Sequence, residues 1–201
     1  MTSKQRLAIE THLPQMGLAI DAPWDFNEIF GRVAPTVVEI GFGMGDSLFQ
    51  MALAQPDENF IGIEVHPPGV GALLTKIAET GIENLRVCSI DAIAALEASV
   101  ADGSLARVQL FFPDPWPKKR HHKRRIVRPD FISLIERKLQ NGGIFHIATD
   151  WADYAESITE LMQQHDQFQR LNEKGHRAHT KYEGRANRLG LDIFDLVFQR
   201  L

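Results

Sequence analysis

Between residues 36 and 151 short apolar runs alternate with longer helical patterns, and few folds accept that rhythm. Strands are expected at 36–40, 59–64, 84–90, 108–112 and 144–148. Helices are expected at 46–54, 67–80, 91–100, 129–139 and 151–164. Repeated strand–helix units predict an α/β, doubly wound, mostly parallel sheet with helices on both faces. Residues 168–172 form a weaker strand candidate, and 191–199 read as a last strand. Residues 1–10 read as a mobile arm or a short helix, and 22–30 as a segment packed on the core. The stretch 172–190 is polar and reads as a loop.

The 201 residues, 44% of them hydrophobic, suffice for one well-buried domain covering the whole chain, with 1–30 as its N-terminal arm. The net charge of -4 argues against a surface that attracts polyanions everywhere. One cysteine, Cys88, permits no internal disulfide and no cysteine-based metal site, which suits the cytoplasm. No apolar run approaches the ~18 residues of a membrane span, so no membrane partner is expected. Monomer and homodimer both remain open.

Residues 39–45, Glu-Ile-Gly-Phe-Gly-Met-Gly, place Gly41, Gly43 and Gly45 at a strand-to-helix turn. Glycines let backbone approach a ligand closely there, although a plain structural turn has the same appearance. Glu64 follows Gly45 by 19 residues, at the end of the next strand, where a carboxylate can accept both hydroxyls of a ribose. The spacing is not that of the dinucleotide fingerprint. Glu39 and Asp46 also flank the turn with negative charge, which repels a pyrophosphate and attracts a sulfonium bearing an amino group. S-adenosyl-L-methionine is therefore the expected cofactor. Asp91 has two roles open to it, acceptor for the adenine amino group and helix N-cap.

Residues 108–112 are a buried strand, and Pro113-Asp114-Pro115-Trp116-Pro117 follows as a stiff extended loop. Lys118, Lys119, Arg120, Lys123, Arg124 and Arg125 come next, with no acid between Asp114 and Asp130. A carboxylate and an indole at a strand's C-terminal end, beside a phosphate-seeking cluster, suggest chemistry on a base within a nucleic acid. The cluster's other reading is a solvated charged surface. Trp116 either stacks on a base or packs under the loop. Asp150 either holds a base or caps the following helix.

The runs EIGFGMG, GIEVHPPGVGALL, QLFFPDPWPKKRHHKRR, ATDW and TKYEGR together resemble the tRNA (guanine-N7-)-methyltransferase family. The resemblance implies a Rossmann-like class I methyltransferase fold with seven strands and an antiparallel C-terminal strand. It implies methyl transfer from S-adenosyl-L-methionine to N7 of a guanine in the tRNA variable loop, with tRNA as partner; no metal is expected, since His121 and His122 lack a nearby acidic or thiol partner in the sequence. It implies that Glu39, Glu64, Asp91 and Asp114 line the cofactor site, with Asp114 catalytic. It makes Lys118, Asp150, Thr180, Lys181, Tyr182 and Glu183 substrate contacts. It makes Arg120, His121, His122, Lys123, Arg124 and Arg125 the RNA-binding segment. Tyr182 departs from the family's usual phenylalanine, and Ala178 from a frequent proline. Methylation of an exocyclic amine on adenine or cytosine, and RNA binding without catalysis, are the competing readings.

Overall fold

A computed structural model of the chain describes residues 1–172, 175, 177, 178, 190 and 192–201. Among these residues, seven strands form one sheet in the order β3-β2-β1-β4-β5-β7-β6. The strands are β1 (Thr36–Ile40), β2 (Asn59–Ile63), β3 (Leu85–Cys88), β4 (Leu105–Phe111), β5 (Leu139–Thr149), β6 (Phe168–Leu171) and β7 (Phe194–Arg200). The first five run parallel, whereas β7 lies antiparallel to both β5 and β6. The expected fold class is therefore the one observed.

Helices α1 (Ser3–Met16), α2 (Phe26–Phe30), α3 (Asp46–Ala54), α4 (Pro67–Thr80), α5 (Ala92–Ser99), α6 (Pro129–Lys138) and α7 (Ala152–Met162) cover the sheet. Two apolar clusters fill the layers. One holds Val38, Ile61, Val108, Phe131, Phe145 and Tyr154. The other holds Val37, Leu48, Phe60, Leu73 and Leu85. Neighbours on one strand, such as Val37 and Val38, enter different clusters because successive strand side chains point to opposite faces. A sheet covered on both faces explains why β1 and β2 are buried at every residue rather than at alternate ones.

Most element ends shift by one to three residues, and three stretches differ more. Residues 3–16 form a full helix, started by a capping box in which Thr2 Oγ1 accepts from Gln5 N–H and Gln5 Oε1 accepts from Thr2 N–H. The helix lies on α4, where a Cβ on Gly71 would meet Gln5 O at 2.5 Å, so the small residue lets two helices approach. The sequence Asn141-Gly142-Gly143 reads as a turn after α6, yet it lies within β5. The pairing steps from Leu105↔Leu139 to Arg107↔Ile144, so β5 carries extra residues in a bulge. The basic stretch Lys119–Arg124 winds into a 3-10 helix.

Candidate active site

The chain runs outward from β1 through β2 to β3, then returns to lay β4 on the other side of β1. The connections after β1 and β4 therefore diverge, leaving a crevice at the strands' C-terminal ends. A cavity of about 190 Å³ lies there. One wall is the glycine turn with Glu39 and Ser47; the other is Phe111 and Phe112 from the end of β4. A larger hollow, about 650 Å³, is bordered by Trp24, Thr36, Ser104 and Gln140. It opens at the N-terminal ends of the strands, where such sheets do not place ligands.

Gly41, Gly43 and Gly45 all have φ between 60° and 72°, a region that side chains with a Cβ rarely adopt. A Cβ on Gly69, in the first turn of α4, would lie 1.9 Å from Gly43 O, so only glycine lets that helix meet the turn. The Glu64 carboxylate braces the same turn, with Oε2 accepting from Gly43 N–H at 2.9 Å and Oε1 from His66 N–H at 2.9 Å. Those bonds leave lone pairs for a further donor.

Glu39 faces the cavity from a buried position, and its Oε2 has no hydrogen-bond partner among the described residues. Burial pushes its carboxyl up to about 8. A buried acceptor without a partner is costly and calls for a ligand donor. Asp46 behaves differently from its sequence-based expectation. Its carboxylate pairs with Lys76 Nζ at 2.6 Å, and the same ammonium reaches Met44 O at 3.0 Å. The acid left open at the turn is thus Glu39 alone rather than a pair, and it takes up its charge when a cationic donor displaces its proton. Asp91 caps α5, Oδ1 accepting from Ala94 N–H at 3.1 Å, and is not part of the cavity wall.

At the second wall, Phe112 N–H bonds Ala148 O at 2.7 Å, extending the β4–β5 ladder by one residue. Phe112 and Trp116 have φ of 52° and 45°, a strained backbone for residues with bulky side chains. Asp114 is exposed on the loop between them, and Asp150 is half-buried just past β5. Phe111 pairs with Ala148, so the two acids leave adjacent strands at one level. Asp150 does not cap α7: Trp151 occupies that position without a side-chain cap bond, its N–H bonding Thr149 Oγ1 at 3.2 Å. Trp116 packs against its own loop, with the Arg124 guanidinium 4.8 Å from the indole centroid and the His121 ring edge-on at 6.0 Å.

Lys118, Lys119, Arg120, Lys123 and Arg124 are exposed, while His121 and His122 are half-buried. Arg125 is the exception in the basic run. Its side chain is 5% exposed and stacks 4.6 Å above the Tyr154 ring. A guanidinium turned inward has no access to phosphate, which corrects its assignment as an RNA contact. Among the described residues no group of histidines, cysteines and acids is arranged to hold a metal, and no helix is long and apolar enough to cross a membrane.

One buried cluster lies outside the residues that the sequence singles out. His146, on β5, lies 3.0 Å from Asp195 Oδ1, on β7. Arg177 Nε and Nη2 donate to the two oxygens of Asp195 at 2.7 and 3.2 Å, and the guanidinium lies 5.7 Å from the Phe112 ring centroid. Burial pushes the Asp195 carboxyl up, but the hydrogen bonds from His146 and Arg177 outweigh it and hold the group at about 2. Ser47 Oγ donates to Ala178 O at 3.3 Å, so this late segment reaches the cavity wall. Thr180, Lys181, Tyr182 and Glu183 lie outside the described residues.

Residues 33–196 match the model of a family described as "Putative methyltransferase". A tRNA (guanine-N(7)-)-methyltransferase of Shewanella sp. (strain MR-4) is 54% identical over 209 aligned positions, covering 100% of this chain and 88% of the relative. The enzyme of that name from Shewanella oneidensis matches equally, at 54%. Among solved structures, the 16S rRNA methyltransferase KamB superposes with a TM-score of 0.63 at 13% identity, over 87% of this chain and 92% of that one. An antibiotic-related methyltransferase gives 0.60 at 16%, over 90% and 94%. These neighbours share the class I methyltransferase fold, whose members use a methyl donor of the S-adenosylmethionine type. Identity of this extent along the full length has one consequence: the chain belongs to the tRNA (guanine-N(7)-)-methyltransferase family.

Proposed function

We propose that the chain transfers a methyl group from S-adenosyl-L-methionine to N7 of a guanine in the variable loop of tRNA. The observation that carries the donor assignment is Glu39: a buried, unpartnered carboxylate in the wall of the switch-point cavity. An ammonium at that oxygen satisfies both hydrogen bonding and charge. Glu64 and Asp91 lie farther along the same rim, each with acceptor capacity beyond its backbone bonds, suited to ribose and adenine. The acceptor assignment is supported by the full-length relatives and by the basic surface after β4.

When bound, the donor supplies a methyl group activated on a sulfonium. The chain's residues then have to present guanine N7, whose lone pair needs no prior deprotonation. Their contribution is orientation, which can supply several kcal/mol of a barrier. Asp114 accepts hydrogen bonds from N1–H and N2–H of guanine. Those donors become more acidic as the base turns cationic, so the contact strengthens toward the transition state and raises kcat. Asp150, just past the adjacent strand and not engaged as a helix cap, is the second acceptor for the base. The five exposed cations hold phosphates, which positions the RNA without reading its sequence. A-form major grooves are too narrow for a side chain to reach N7, so the guanine is taken from a loop or extruded.

The test is incubation with labelled donor and total tRNA, followed by nucleoside analysis. N7-methylguanosine is expected. A methylated exocyclic amine, or no product, refutes the assignment.

A further inference from the structure

We infer that Arg125 is a positioning residue, clamping the proline loop that carries Asp114 to the helix that follows Asp150. The inference rests on the catalytic reading of Asp114 given above. Its starting point is a shortage of donors in the loop. Prolines at 113, 115 and 117 remove three backbone N–H groups from five residues, so the loop has little means of pinning itself. Its carbonyls remain as handles. Arg125 Nε donates to Pro115 O at 2.8 Å, the carbonyl between Asp114 and Trp116.

The other arm of the same guanidinium goes elsewhere. Arg125 Nη2 donates to Asp153 Oδ2 at 2.5 Å, in the first turn of α7, three residues after Asp150. Tyr154 forms the floor beneath the guanidinium, and its hydroxyl accepts from Val127 N–H at 3.2 Å, fixing the chain just past Arg125. Strands β4 and β5 are held by their ladder only up to Phe112 and Ala148. Beyond that point the two connections part, one into the proline loop and one into α7. The planar fork of one arginine ties them together again. A lysine has a single nitrogen and cannot reproduce two divergent bonds at a fixed angle. Asp114 and Asp150 are thereby kept in one relative placement while both grasp the base.

The test compares Arg125→Lys, Asp153→Asn and the double variant, with Asp114→Asn and Lys123→Ala as references. Turnover at saturating tRNA, KM for tRNA, donor affinity by calorimetry and the slope of log Kd for tRNA against log salt are measured for each. Arg125→Lys is expected to lower kcat about tenfold or more, with donor affinity and salt slope kept. The double variant is expected to be no worse than Arg125→Lys, because the two residues act through one bond. Lys123→Ala, an exposed charge, is expected to flatten the slope by about one. Wild-type kcat in Arg125→Lys overturns the inference, as does a slope flattened by about one in Arg125→Gln, which removes the charge that Arg125→Lys keeps. If Arg125→Lys fails to bind donor, Asp153→Asn decides, and wild-type kcat in that variant overturns the inference. Undiminished turnover in Asp114→Asn overturns the catalytic reading instead, whatever the clamp variants do.

Discussion

Replacing Glu39 by glutamine removes a buried carboxylate while keeping its shape, and the burial of Glu39 sets the magnitude of the effect. With its carboxyl at about 8, Glu39 is roughly 90% protonated at pH 7 in the donor-free protein. An α-amino group, with an ordinary value of about 7.7–8.0, is then about 85% ammonium. The bound pair is carboxylate and ammonium, so binding at pH 7 releases about 0.9 proton from Glu39 and takes up about 0.1 on the amine, a net release of about 0.8. Donor affinity should accordingly rise about eightfold from pH 6 to pH 7 and level near pH 8, where the amine begins to lose its charge. Calorimetry in buffers of different ionisation enthalpy reads the proton count directly. Glu39→Gln is expected to bind more weakly, with release near zero and a flat profile below pH 7. A wild-type release below about 0.3 proton would refute the reasoning. The same raised value bears on folding. The folded state holds a proton that the unfolded chain loses above its ordinary 4.5, so stability falls as pH climbs from about 4.5 to about 8. Without donor, that decline should be smaller in Glu39→Gln by thermal unfolding.

Asp114→Asn should reduce turnover ~10²-fold or more with donor affinity largely kept, measured by steady-state kinetics and calorimetry. If three to five of the exposed cations meet phosphate, log affinity for tRNA should fall with log salt at a slope of about -2 to -5, and a flat response would remove the docking surface from the account. Asp195, held at about 2, stabilises the fold at neutral pH, and that stability is lost as pH falls below 3.8 toward 2. Asp195→Asn should therefore flatten the acid limb of the unfolding profile by about 2 kcal/mol, read from denaturant midpoints across pH 2–5.

Much of the fold was legible because its signals are local. Strand Thr36–Ile40 and helices Asp46–Ala54 and Pro67–Thr80 have the expected bounds, each set by β-branching, glycine or proline at the edge. Helix α1 was harder to read, since its residues lack a clear apolar stripe and its support comes from α4, distant in sequence. The bulge at Gly142 looked like a turn because glycine and asparagine serve both. The acids of the first three strands were visible, but not that Lys76 answers Asp46, a contact made only when α4 folds beside the glycine turn. Arg125 is indistinguishable by composition from Arg124; the neighbouring Ile126 and Val127 were the one hint that the chain turns inward there. The His146–Asp195 pair needs the antiparallel β5–β7 register, in which Ala148 faces Asp195 and His146 faces Val197, placing the two side chains diagonally on one face. A histidine within the apolar run 144–148 and an aspartate within the apolar run 194–198 were the available signal.

Glu39 stands on β1 opposite Gln109 of β4, and Asp114 stands just beyond the same β4. In the proposed reaction the origin and the destination of the methyl group are therefore borne by hydrogen-bonded neighbours, whose spacing is about 4.8 Å in any sheet. The strand ladder is the ruler as far as Phe112, and the tie from Arg125 to Pro115 and Asp153 carries its graduation on to Asp114.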